Sequence, residues 1–131
     1  MDLAAIMDAL AGATPSAITT RTYAHPVGSV VPPAVVVGYP TEIDFDAVYQ
    51  EGADRLVIPV FYVCGMVDDA GARTNVSAVI SGANSIKTAI ETNATLYTKV
   101  DTARVTNATP QMMTIGAVDM IAVRFDVEVL A

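Results

Sequence analysis

Histidine and cysteine occur once each in this chain, at His25 and Cys64, and its seven basic residues never cluster. A single cysteine can form no internal disulfide, so the fold cannot depend on oxidation. Cys64 stands inside the apolar run VIPVFYVCGMV and reads as a buried small hydrophobe rather than a reactive thiol. One histidine and one cysteine give no paired ligands with zinc spacing. There is no G-x-S-x-G elbow and no phosphate-binding loop, and the eight glycines are dispersed. Arg21, Arg55, Arg73, Lys87, Lys99, Arg104 and Arg124 are scattered singly, whereas a grip on nucleic acid needs clustered cations to displace phosphate counterions. No apolar run reaches the roughly eighteen residues of a membrane helix. Asp2 and Asp8 stand where a secretory signal would be positive, so none is expected, and the sequons at Asn75, Asn93 and Asn107 are expected to stay unmodified.

What is present is apolar. Hydrophobic residues make up 53% of the 131 residues and charged ones only 16%, enough for one domain with a substantial core. Acidic residues outnumber basic ones by fourteen to seven, for a net charge of −7. A surface this poor in charge is one that other protein surfaces cover at little desolvation cost, which points to assembly.

Leu3, Ile6, Met7 and Leu10 fall on one face of an opening helix, with Asp2 suited to cap it and Gly12 and Pro15 suited to end it. ITTRTYAH, residues 18 to 25, reads as a strand. HPVGSVVPPAVVVGYP holds four prolines: Pro26 and Gly28 punctuate a turn, and Pro32 and Pro33 stiffen the entry to a short strand over Ala34 to Tyr39. His25, at the exit of the preceding strand with no partner placed by a motif, reads as structural. Residues 41 to 55, TEIDFDAVYQEGADR, read as an acidic connection. LVIPVFYVCGMV, residues 56 to 67, suits a central strand covered on both faces, with Pro59 at a bulge or an unpaired edge position. Asp68 or Asp69 can cap a second helix with Ala72, Val76, Val79 and Ile80 inward. Asn84 or Ser85 can cap a third with Ile86, Ala89, Ile90 and Ala94 inward. A strand from Lys99 then leads to a hairpin near Pro110 and Gln111, and Met112 and Met113 read as adaptable packing. In VRFDVEV, Val123, Phe125, Val127 and Val129 alternate with Arg124, Asp126 and Glu128, so the valines and phenylalanine face the core while the charges face water, a lumen or a partner. The sum is a helix, two strands, a long strand, two helices and three C-terminal strands. This is an α+β fold with a single, mainly antiparallel or mixed sheet and helices on one face.

The strongest carboxylate cluster is E-I-D-F-D. Extended, it points Glu42, Asp44 and Asp46 one way and Ile43 and Phe45 the other. The calcium-loop pattern fails for want of a glycine at its sixth position, so a solvated or interface face is expected rather than a metal site. No catalytic residue, metal or cofactor is expected.

Taken in order, MDLAAIMDALAG, the Pro-rich lead ending in GYP, I-D-F-D, G-A-D-R-L, SIKTAIE and the closing FDVEVLA carry a family pattern, densest over residues 37 to 65. The chain resembles the small tail terminator proteins of long-tailed phages with non-contractile tails (siphoviruses), especially those of actinobacteria. TPSAITTRTYAHPVGS departs from that pattern, so the resemblance assigns His25 no role. The resemblance implies a lambda-type α+β fold, a homo-oligomeric ring of six copies in the virion neck, and assembly in the host cytoplasm. The implied partners are the tail tube protein and the head-to-tail connector or stopper protein. DNA would pass through the lumen unbound, with no membrane involved. In this reading residues 41 to 55 make ring or tube contacts. Phe45, Val48 and Tyr49 are the apolar anchors, Glu42, Asp44, Asp46 and Arg55 surround them, and Arg124, Asp126 and Glu128 line the lumen or face a partner. Two alternatives stay open: another neck or tail-tube protein, and a non-viral acidic binding domain.

The alternation in VRFDVEV has a direct test. Val127→Asp would bury an unpaired carboxylate and is expected to cost about 3 kcal/mol or more, read as a large fall in melting temperature. An unchanged melting temperature would refute the assignment.

Overall fold

Asp2 starts the chain's first helix as the sequence suggests, its carboxylate accepting from the Ala5 amide at 3.2 Å. In the computed structural model, which describes residues 2–13, 21–24, 28, 34–48, 53–66, 70–80, 86–93, 96–100, 102–115 and 117–131, this helix is α1, Leu3–Gly12. Ile6, Met7 and Leu10 are buried. Strands β1 (Arg21–Tyr23), β2 (Ala34–Val37), β3 (Glu42–Val48) and β4 (Ala53–Met66) follow, then helices α2 (Ala70–Ile80) and α3 (Ile86–Glu91). A short 3-10 turn over Leu96–Thr98, capped by Asn93 at 2.9 Å, leads to β5 (Thr102–Ile115) and β6 (Val118–Leu130).

These strands form one mixed sheet of six, in the order β1-β2-β4-β6-β5, with β3 also on β4. Among the described residues β1 and β2 run parallel and the other pairs are antiparallel. The α+β class with helices on one face is therefore the observed architecture. β4 is the axis. One of its sides carries β6 over its whole length, and the other carries β3 against residues 53–57 and β2 against residues 60–63. Pro59 sits where β2 gives way to β3. Its carbonyl accepts from Gly38 at 2.8 Å, so its nitrogen, on that same side, falls in the gap between two ladders where a missing donor costs least. A Cβ on Gly38 would lie 2.9 Å from the Pro59 ring, which is why the chain needs glycine there. Of the two readings of Pro59, a bulge or an unpaired edge position, it takes an unpaired position, though in a central strand and not at an edge. The bulge of β4 lies at Cys64, where the β4–β6 register shifts and Asn75 of α2 donates to the Cys64 carbonyl at 3.0 Å.

Alternation explains the core. Leu56, Ile58, Val60, Tyr62 and Cys64 of β4 and Val123, Phe125, Val127 and Val129 of β6 lie beneath Ile6, Leu10, Val79, Ile86 and Ile90 of the helices. Each such side chain contributes about 1.5–3 kcal/mol relative to exposure. Burial pushes the Cys64 thiol and the Tyr62 hydroxyl each up to about 12, so Cys64 is the inert hydrophobe expected. On the opposite, open face, Ala34, Val36, Val63, Met120 and Ala122 form a second, smaller cluster with Tyr23, Phe61 and Met113 packed on it. That second cover accounts for a β4 sequence apolar almost throughout.

Several expectations are corrected. Residues 42 to 48 are a strand, not a connection: Ile43 and Phe45 carry the period-two signal, and the interleaved acids suit a strand at a sheet margin. The C-terminal region holds two long strands rather than three. Pro110 lies inside β5, opposite Val123; β5 runs on to Ile115, and the turn residue Ala117 precedes β6. Proline fits because, among the described residues, β5 pairs with β6 alone. The second and third helices occur as expected, although Ile80 is 45% exposed rather than inward. His25, Pro26, Pro32, Pro33, Asp68, Asp69, Asn84, Ser85 and Ala94 lie outside the described residues.

Ala117 holds φ at 64°, a left-handed conformation that costs an L-residue about 1 kcal/mol. Ala117→Gly is therefore expected to stabilise the protein by a sizeable part of that amount, measured by denaturant unfolding; a destabilised variant would contradict the turn geometry.

Candidate interaction surface

Arg55 reaches from the central strand to carboxylates on both of its neighbours. One guanidinium nitrogen lies 3.2 Å from Glu42 of β3 and the other 3.1 Å from Glu128 of β6. The register explains the reach: Glu42 and Glu128 both stand opposite Val57, two residues along from Arg55, one from each side. Both contacts are diagonals across the open face. The Glu128 hydrogen bond, with the charges of Glu128 and Glu42, raises the Arg55 pKa against an opposing effect of burial. The sequence placed Glu42 and Arg55 in one group and Glu128 in another; the fold brings the three together. Nothing in the local sequence carries that link, because it depends on cross-strand register.

Arg124 pairs with Asp126 on its own strand. Its Nε lies 3.3 Å from one carboxylate oxygen without making a hydrogen bond, while the guanidinium head donates to the other at 3.5 Å. Asn107 donates to the same carboxylate at 3.5 Å, and Thr106 donates to the Asp126 carbonyl at 3.2 Å where the β5 register shifts. Arg104 stands opposite Glu128. The open face is thus divided lengthwise: apolar near the β5–β6 turn, and charged from Glu42 and Asp44 across Arg55 and Glu128 to Arg104.

The margin of β3 holds the remaining predicted residues. Glu42 and Asp44 share the open face, opposite Val57 and Arg55, while Ile43 stands opposite Leu56 on the helix side. Phe45 follows, where the register shifts, and is 69% exposed. Ile43 is 40% exposed, and Tyr39, just before the strand, 63%. Three large apolar side chains within seven residues thus stay in water. The sequence marks Phe45 as an anchor but neither Ile43 nor Tyr39, although the GYP and I-D-F-D motifs contain them. Val48 stands opposite Ala53 in the ladder, the side chains of Asp46 and Val48 are outside the described set, and Tyr49 lies outside the described residues.

At the other margin Glu91 of α3 performs a task the sequence did not reveal. Its carboxylate accepts from the Val105 backbone amide of β5 at 2.9 Å and pairs with Lys87 one turn back. It thereby occupies a donor that a strand at the sheet's margin would otherwise offer to another chain. Among the described residues no group of three or more His, Cys, Asp or Glu is placed to hold a metal ion, and no helix is long and apolar enough to cross a membrane. No family model and no curated protein matches the chain.

Partial burial pushes the Glu91 carboxyl up, but the Lys87 hydrogen bond, the Val105 amide and the charges of Lys87 and Arg104 outweigh it and hold the pKa below its ordinary 4.5. A carboxyl with a lowered folded-state pKa stabilises the fold above its ordinary value, and that contribution is lost as pH falls through the lowered one. Melting temperatures should therefore fall more steeply with acid below about pH 4.5 in the wild type than in Glu91→Gln. Identical acid limbs would show that the contact stabilises nothing.

Proposed function

We propose that this chain is a structural protein of a phage tail. It would form a closed ring at the head-proximal end of a non-contractile tail tube, end the tube's polymerisation and offer the docking surface for the head-to-tail connector. The observation that carries the reading is the exposure of Tyr39, Ile43 and Phe45 within the segment richest in the family pattern. Aromatic and aliphatic anchors bordered by carboxylates are what a protein contact concentrates its energy on, and a monomer rarely leaves them uncovered. The β3–β4 hairpin presents them on a margin braced by the Arg55 bridges, so they are held out without disturbing the core.

The acidic balance fits the same role. Asp126 and Glu128 on the open face are our candidates for the lumen, where carboxylates repel the phosphates of passing DNA and let the duplex slide. Arg55 and Arg124 on the same face are already engaged with carboxylates.

Electron microscopy and native mass spectrometry of the purified chain, alone and with tail tubes, test the proposal. Rings of one size, seated on one tube end, are expected. Phe45→Ala is expected to remove them while leaving the melting temperature of the monomer nearly unchanged, because the side chain is exposed. Open-ended tubes would instead identify a tube subunit, and a monomer that never joins a tube would identify a free acidic binding domain; either result overturns the ring.

A further inference from the structure

The exposed apolar side chains are not confined to the β3 margin. A second set lies at the opposite margin of the sheet, beside β5, where Met112 is 70% and Ile80 45% exposed. Register puts Ala108, Pro110 and Met112 opposite Phe125, Val123 and Ile121, on the helix-bearing side of the sheet. There the surface sinks into a recess of about 220 Å³, lined by Ile80, Lys87, residues 105–108 and Phe125. A dry cavity of about 150 Å³ already accommodates a benzene ring.

Both margins are layered in the same way. At β3 the apolar Ile43 lies on the helix side and the acidic Glu42 and Asp44 on the open side. At β5 the apolar recess lies on the helix side, with Lys87 lining it, and the exposed Arg104 lies on the open side, opposite Glu128. Placed side by side with their sheets facing the same way, two copies would bring apolar against apolar in one layer and carboxylate against guanidinium in the other. Sheet extension is not required for this. Glu91 already occupies the Val105 amide, and Pro110 has no amide hydrogen to donate.

We propose that copies of the chain dock head to tail through these two margins. Ile43 and Phe45 of one copy enter the recess beside Phe125 of the next, and on the open side Glu42 and Asp44 meet Arg104. The proposal deepens the ring reading and rests on its premise of self-association. Because the two margins differ, each docked pair still presents one free margin of each kind, so addition continues until the accumulated rotation closes a circle. A two-fold contact would end at a dimer.

Crosslinking tests the pairing. Thr41→Cys, at the start of the β3 margin, and Ala108→Cys are made separately, one carrying a size tag, and mixed under mild oxidant; both positions are exposed, and the native Cys64 is buried. The mixture is expected to form a disulfide between the two variants, and neither variant alone is expected to link to itself. In parallel, Asp44→Arg or Arg104→Asp alone is expected to raise the concentration needed for assembly about tenfold or more, and the double reversal to restore it. Rings that form without the crosslink and ignore the charge reversals overturn this pairing but leave the ring standing. Dominant Thr41→Cys self-linkage overturns it in favour of two-fold docking. A chain that neither crosslinks nor assembles overturns both.

Discussion

One strand carries the organisation of this molecule. β4 is bordered along its length by β6 on one side and by β2 and β3 in turn on the other, so its backbone groups have ladder partners nearly throughout. Its alternate side chains fill the helix-covered core, and the others divide between a second apolar cluster and the Arg55 bridges. A strand in that position tolerates few irregularities. Each one present is met by a specific neighbour: Gly38 at Pro59, Asn75 at the Cys64 bulge. The break between β2 and β3 is what lets proline stand in a central strand at all. Tyr39 follows that break and Ile43 and Phe45 stand on the β3 margin beyond it, all three exposed to water.

How far the sequence reveals this follows from the range of the forces involved. Val123, Phe125, Val127 and Val129 announce their burial because alternation is local and the strand is covered on one face along that stretch. The opening helix is legible for the same reason, down to the Asp2 cap. Pro110 misleads because its cost depends on whether a neighbour lies on its free side, and strand order is not a local property. Residues 42 to 48 mislead because four charged or small residues mask the Ile43 and Phe45 alternation. The Glu42–Arg55–Glu128 cluster joins positions 73 and 13 residues from Arg55, and only register brings them together. Glu91 looks like an exposed helical acid until β5 lies beside it.

The two margins of the sheet explain how such an apolar chain presents specific rather than indiscriminate contacts. Uncovered strands invite further strands, and a six-stranded sheet with open edges risks aggregation. Here the β5 side is closed at Val105 by a carboxylate and at Pro110 by a missing donor, while β3 shifts register after Asp44. What remains available is side-chain surface, and side chains discriminate partners by shape and charge far better than backbone amides do. In the proposed ring that distinction separates a closed, countable assembly from an unlimited one.

The charge pattern carries the same logic to the proposed passage of DNA. An excess of seven negative charges would mean little if the cations were grouped and free, since a small basic patch can still grip phosphates. The fold instead sets Arg55 between two glutamates, Lys87 against Glu91 and Arg124 against Asp126. Each guanidinium or ammonium so engaged would have to give up a carboxylate before it could hold a phosphate, and counterion release would then favour little net binding. A surface built this way presents a duplex with repulsion and few competing attractions. The low charged fraction and the pairing of Arg55, Lys87 and Arg124 thus act together: one makes room for protein contacts, and the other keeps nucleic acid from exploiting them.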